Sequence, residues 1–454
     1  MKKSNSSSNS VIGKVSSYIS GGGKAQLPAE VIAKTKHHIL DTLAAMVSGS
    51  ILKPGLLAKS YIESQAGVPE AQVAGSPIVT SAINAALANG TMAHADETDD
   101  SNPRALIHPG CAIVPAALSM SEREEADGMS FLQGVVVGYD VGCRITQALG
   151  TENLRQASRS SHSIGGNFGA AAAAAAIARL KDDRVRYVLS YAAQQASGVF
   201  YMLRDQEHIE KAFVLGGMPA RNGVTAATMV QSGFSGVWDC FTGEDNFFQA
   251  FSPDSKPELL AEGLGSQYEI MFTNLKRFSV GSPIQSPLDA LLLLIDKHGL
   301  TAKDVHSIVA RLTYPRARVV DNRGMPDINL QHILAVALLD GDMSFEKAHS
   351  YERMKDPAVL EVKKRIKLVG DKKLSWSEAI VEITTNDGAQ LSERVISVRG
   401  TAENPMTTAE VERKCRELLT PVLGQARSQE LIDTVWHLER VRNMRQLRSL
   451  LSAP

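Results

Sequence analysis

Cysteine is scarce and scattered. The four present, Cys111, Cys143, Cys240 and Cys415, lie far apart, and no CxxC or Cys/His ligand spacing occurs. A disulfide framework or zinc ribbon is therefore not expected, and a reducing cytoplasm is the simplest compartment. Aromatic residues make only 5% of the chain, too few for an aromatic-rich β-sandwich. Charge of one sign is not in excess either: 48 Lys and Arg stand against 49 Asp and Glu. A generally basic nucleic-acid binder is thus not expected, though a local basic pocket stays open. Long apolar runs are missing. The strongest, 170–178 and 288–295, fall short of the ~20 residues of a membrane span, so no membrane partner is expected. Residues 1–10 have two lysines followed by Ser and Asn, with no apolar stretch after them, and read as a disordered tail rather than a signal peptide.

Glycine and alanine are abundant instead, which suits closely packed helices, and 454 residues allow about two to four domains. Apolar residues recur at helical spacing over 27–49, with Pro28 in the first turn, where its missing N–H is harmless. Further helices are expected at 56–64, 80–95, 112–122, 130–150, 163–179 and 185–199. Gly90 inside one of them predicts a kink or a close backbone approach. Seven consecutive alanines, 170–176, predict a buried helix with a smooth face. The composition changes near 270. Strands are expected at 268–277, 305–314, 376–385 and 391–398, with a helix at 288–298. Asn386-Asp387-Gly388 between the last two strands is a hairpin signal. Helices return at 407–419 and 429–438. The chain therefore reads as mainly α: a helical part from 11–270, a mixed α+β part from 271–400, and a helical end from 401–454.

Four polar clusters could carry chemistry. The densest runs from His94 to Ser101, followed by Arg104 and His108-Pro109-Gly110. It holds four acids in five positions: Asp96, Glu97, Asp99 and Asp100. A solvated acidic loop would look the same. Here, however, the acids follow an apolar helix, two histidines bracket them, and Arg104 is near enough to neutralise part of their charge. Histidine is the natural proton carrier near neutral pH. The order of Asp, Glu and His has no diagnostic metal spacing, so no metal is expected. The second cluster is His162 within 160–169, where Ser163 reads as a helix start. This histidine suits a cap or the core as well as a catalyst. The glycines there follow no strand, which rejects a dinucleotide fingerprint. The third holds Lys211 before Gly216 and Gly217, a surface residue or an anion clamp. The fourth holds Lys276 and Arg277, surface residues or partners of a substrate carboxylate.

Taken in order, these motifs resemble the MmgE/PrpD family of 2-methylcitrate dehydratase, cis-aconitate decarboxylase and iminodisuccinate epimerase. The carrying segments are NGTMAHADETDDS (89–101) with IHPG (107–110), SSHSIGGNFGAAAAAA (160–175), EKAFVLGGMPARNG (210–223), LKRF (275–278) and NPMTTAEVERKCREL (404–418). The resemblance implies a large helical domain built from both chain ends (11–270 and 401–454) and a smaller α+β lid (271–400). It also implies a homodimer, an active site in the cleft between the domains, and no organic cofactor. The family's pocket residues fall on His108, His162, Lys276 and Lys211, the last with one residue of gap. Departures are present too. Glu97 stands where the family usually has Asp, and Ser101 where it has Thr. Gly281 and Val320 stand where decarboxylase-like members carry His and Tyr.

The family's reactions share one step: a bond next to a carboxylate breaks and negative charge develops. That step needs a proton carrier near the carbon and cations on the carboxylate. His108 and His162 are expected to carry protons. Lys276 and Lys211 are expected to hold carboxylates of a small di- or tricarboxylate substrate. Glu97 and Asp100 would orient a histidine or lysine, and His94, Asp100, Ser101, Arg104 and Arg277 would contribute to substrate binding. The HADETDDS variant leans toward the epimerase branch, so the main expectation is an isomerase of iminodisuccinate type. A lyase of the family is the alternative, and a non-catalytic member is a third reading.

Overall fold

Small side chains let the central helices of this chain, Ala82–Ala93, Gly110–Arg123, Gly128–Leu149 and Ser161–Ile177, pack closely and bury most of their residues. The computed structural model describes residues 9–22 and 26–453. They are mainly α-helical, with a four-stranded sheet in the C-terminal part. Of the expected tail 1–10, residues 1–8 lie outside the described residues, and Asn9 and Ser10 form a bend that leads into the first helix. No single helix among the described residues is long and apolar enough to cross a membrane.

Two compact units divide the chain. One takes the chain up to Ala95, then Asp99–Thr273 and Val411–Pro454; the other takes Asp96–Thr98 and Asn274–Glu410. Residues 401–410, expected with the helical part, thus group with the second unit, and the three residues 96–98 do so as well.

The first unit opens with α1 (Val11–Gly22), α2 (Ala29–Gly49) and α3 (Lys53–Gln65), then a short pair, β1 (Ala71–Gln72) and β2 (Val79–Thr80). It continues with α4 (Ala82–Ala93), α5 (Gly110–Arg123), α6 (Gly128–Leu149), α7 (Thr151–Gln156), α8 (Ser161–Ile177), α9 (Asp182–Gln195), α10 (Ile209–Ala212), α11 (Met218–Gln231) and α12 (Phe247–Phe251). The alanine run lies in α8 and is buried nearly throughout. α6 and α8 meet along glycines. A Cβ on Gly142 would stand 2.7 Å from the Gly165 carbonyl oxygen, and one on Gly169 would stand 2.7 Å from that of Gly138. Gly90 makes the close approach its position predicts: a Cβ there would lie 2.5 Å from the Gly216 carbonyl oxygen.

The strand expected at 268–277 does not form. Glu269–Phe272 is a 3-10 turn instead. The Glu269 N–H donates to the buried Asp140 carboxylate at 2.6 Å, and Asn102 Nδ2 and Thr273 Oγ1 both donate to the Glu269 carbonyl. Side chains take the backbone groups that a strand would offer to a partner.

The second unit contains α13 (Ser282–His298), β3 (Val305–Thr313), α14 (Tyr314–Val320), α15 (Leu330–Asp340), α16 (Phe345–His349), α17 (Pro357–Lys363), β4 (Ile366–Asp371), β5 (Ala379–Thr385) and β6 (Gln390–Val395). The sheet order is β4-β3-β5-β6. β4 runs parallel to β3, and the other pairs are antiparallel. Ile308, Ala310 and Leu312 of β3 and Ala379, Val381 and Ile383 of β5 share a core with Leu288, Leu291 and Leu294 of α13.

The chain then returns to the first unit through α18 (Thr408–Leu423), α19 (Gln425–Trp436) and α20 (Arg448–Leu451). Lys414 of α18 pairs with Asp41 of α2 at 2.5 Å, both buried. The Trp436 ring meets His37 edge-on at 5.4 Å, and Arg448 pairs with the buried Glu122 at 2.5 Å. These contacts fix both ends of the chain in one helical body.

Candidate active site

The four acids of the first motif have four different tasks. α4 ends at His94, and the polar loop that follows leads to α5, whose first residue is Gly110. Asp96 faces His349 Nε2 at 2.8 Å and accepts from Thr98 Oγ1 at 2.6 Å. Glu97 pairs with Lys276 at 3.3 Å, both nearly sealed from solvent. These two pairs lie within the second unit.

Asp99 and Asp100 work in the first unit. Asp99 Oδ2 meets His94 Nδ1 at 3.0 Å, and Asp99 Oδ1 meets His108 Nδ1 at 3.2 Å. Asp100 Oδ1 accepts from the Gly110 N–H at 2.9 Å, so it caps α5 two residues beyond His108. Its other oxygen accepts from Tyr139 Oη at 2.6 Å and faces His38 Nδ1 at 2.7 Å. Asp100 is fully buried with both oxygens engaged by groups of the first unit. The Pro109-Gly110 step follows from the same crowding: a Cβ on Gly110 would lie 2.7–2.9 Å from Thr42, Asp100 and Tyr139.

His162 sits in the first turn of α8. That helix begins two residues before the expected Ser163, with Ser160 as its N-cap accepting from the Ser163 N–H. The Ser161 hydroxyl donates to the Leu106 carbonyl at 2.7 Å and ties this turn to the His108 loop. His208 comes from the residue before α10, in a left-handed conformation (φ 59°). Four imidazoles form a row: His208 to His94 at 5.1 Å, His94 to His108 at 5.0 Å, and His108 to His162 at 5.2 Å between ring centroids.

Lys211 in α10 is near enough for its charge to act on the row. Burial above all, with Lys211 and His108 nearby, lowers the His94 pKa against the pull of Asp99. Burial, then His108, His94 and Lys211, push His162 well below its ordinary value. Both rings are therefore neutral at neutral pH, the state in which imidazole accepts a proton. The His162 Nδ1 and His94 Nε2 atoms are buried without hydrogen-bond partners among the described residues. After Lys211 the chain takes one π-helical turn, Phe213–Gly217, before α11.

The remaining expected residues have the following surroundings. Ser101 is half-buried beside the isolated bridge between Asn102 and Ile107. Arg104 stacks over Phe272 and lies 3.6 Å from Glu269. Arg277 pairs with Asp289 at 2.5 Å and stacks over Phe278. Both arginines are bound to partners within their own units. Val320 is fully buried in the second unit's core. Gly281 caps α13, where an added Cβ would find only ordinary contacts at 3.5–3.8 Å. His94, Asp99 and Cys111 offer donor atoms within 4.8 Å of one another, a set a divalent transition metal could use.

The sequence reading does not single out Asp99, His208, His38 or His349. Asp99 is one of four near-equivalent acids on paper, and His208 stands next to Lys211 with no periodicity to mark it. Their positions come from the meeting of distant segments.

Family models for the MmgE/PrpD N-terminal domain and the MmgE/PrpD C-terminal domain match residues 13–260 and 278–438. Among curated proteins, the chain is 24% identical over 460 residues to the cis-aconitate decarboxylase-like protein oryM of Aspergillus oryzae, covering 94% of each chain. It is 26% identical over 455 residues to the cis-aconitate decarboxylase of Homo sapiens, covering 94% of this chain and 92% of that one. The cis-aconitate decarboxylase of Mus musculus is also 26% identical, with 93% and 90% covered.

Proposed function

The chain belongs to the MmgE/PrpD family, and on that premise we propose that it is a lyase acting on a small tricarboxylate, breaking a bond next to a carboxylate by proton transfer from its own side chains. The observation that carries this reading is the row of four histidines beside Lys211. The relatives it resembles are named as decarboxylases or decarboxylase-like. They favour a lyase over the epimerase to which the first motif leans.

In this reading Lys211 and Lys276 neutralise substrate carboxylates, and Glu97 holds Lys276 in place. Negative charge grows on the carbon next to a carboxylate as the bond breaks, and the lysines stabilise it. His108 and His162 move the proton to or from that carbon. Decarboxylation leaves an electron pair on carbon, which takes up a proton; a ring that is neutral at rest must first be loaded with that proton. Dehydration takes a proton from carbon and returns one to the leaving hydroxyl. Gly281 and Val320 replace the His and Tyr of decarboxylase-like members, so the substrate panel must include hydroxy acids as well as cis-aconitate. The same reading carries a homodimer that uses no organic cofactor and no metal.

Proton NMR of the enzyme with a panel of di- and tricarboxylates tests this. An alkene product, or release of carbon dioxide, that persists after EDTA dialysis is the expected result. Solvent deuterium entering recovered substrate with no loss of water or carbon dioxide would return the assignment to an epimerase. Activity lost on dialysis and restored by a divalent ion would make the Cys111 cluster a metal site.

A further inference from the structure

We infer that Asp99 sets the ring tautomers of His94 and His108 at once, so that His108 presents a proton-free Nε2 for its work. This rests on the proposed role of His108 and adds a positioning residue to it. An ionised carboxylate can only accept hydrogen bonds. Its two oxygens meet two different rings, each through Nδ1, at 3.0 and 3.2 Å. Both rings must therefore carry a proton on Nδ1, and in a neutral ring that leaves the Nε2 lone pair free.

The neighbouring acids are engaged with other groups. Asp100 spends its oxygens on Gly110, Tyr139 and His38. Asp96 faces His349 and Thr98, and Glu97 faces Lys276. The division of labour is spatial as well: Asp100 fixes the backbone at the start of α5, while Asp99 fixes the ring two residues earlier. Asp99 is itself fully buried, which keeps water from competing for its oxygens. The ring row also gains from a shared anchor. His94 lies between His208 and His108, so one carboxylate fixes the two central members.

Asp99→Asn is the informative substitution, because it keeps the shape and replaces one acceptor oxygen with a donor. At least one of the two rings must then offer a lone pair at Nδ1, moving its proton to Nε2. Nitrogen-15 NMR of histidine-labelled protein reads each tautomer directly, with His94→Gln and His108→Gln used to assign the signals. The wild type is expected to show both rings protonated on Nδ1. Asp99→Asn is expected to switch at least one, with kcat down by about 10²–10⁴-fold and KM nearly unchanged. Either ring protonated on Nε2 in the wild type would overturn the inference. So would an Asp99→Asn protein with both tautomers and kcat intact, even at a lowered Tm. If the variant does not fold, the wild-type spectrum alone decides. The tautomers are read on resting enzyme, so they stand or fall separately from the proposed reaction, which His108→Gln kinetics tests.

Discussion

At the scale of single residues, the acids of the loop between α4 and α5 are held by pairing with buried bases and hydrogen-bond donors. His349 is the clearest case. Burial disfavours its charged form, but Asp96 at 2.8 Å and Asp327 close by outweigh burial and push its pKa up to about 9. A pKa raised from 6.5 in the folded state contributes stability that is fully present below about pH 6.5 and lost as pH rises through about 9. Burial likewise opposes the charge on Asp96, yet the bonds to His349 and Thr98 hold its pKa below the ordinary value. Its contribution is present above the unfolded value and lost as acid titrates it. Denaturant midpoints across pH should show His349→Gln losing the alkaline decline that the wild type has between about pH 6.5 and 9. Parallel profiles for the two proteins would contradict this pairing. The sequence shows a dense acidic run bracketed by histidines, which marks it as a candidate site. It does not show which acid faces which base, because Asp96 meets a residue 253 positions away (349 minus 96) and Asp100 meets Tyr139 and His38.

At the scale of elements, the glycines of α6 and α8 decide where His162 stands. The two helices approach so closely that Gly142 and Gly165 each face the other's carbonyl oxygen. Gly165→Ala would put a Cβ 2.8 Å from the Gly142 oxygen, and overpacking of this kind costs about 1–3 kcal/mol. We expect a clear drop in Tm for Gly165→Ala, with activity reduced further because the first turn of α8 carries His162. An unchanged Tm would show that the helices separate at no cost. Most helices were legible from 3.6-residue periodicity and alanine content, and the hairpin of β5 and β6 from its Asp-Gly turn. β4 was not. It is an edge strand with only Ile366 buried, so no apolar alternation marks it. α1 was not read as a helix either, the first one expected being 27–49; in the structure Ser16 and Ser17 of α1 donate to Asp182 at the start of α9.

At the scale of the whole molecule, the chain leaves the first unit after Ala95, spends three residues in the second, and returns at Asp99. Asp96 and Glu97 in that short stretch anchor to His349 and Lys276, while His94 and Asp99 on either side belong to the histidine row. Sequence reading found the helical, mixed and helical order of the chain but could not foresee this excursion, which depends on side-chain pairing and not on composition. In the proposed function the histidine row does the chemistry and the lysines hold the substrate. Steady-state kinetics of His108→Gln and Lys276→Ala, on whichever carboxylate the panel identifies, test it most directly. We predict that His108→Gln lowers kcat by about 10²–10⁴-fold with KM nearly unchanged and Tm close to wild type, while Lys276→Ala raises KM and lowers kcat together. A His108→Gln enzyme that turns over its true substrate at the wild-type rate would contradict the account.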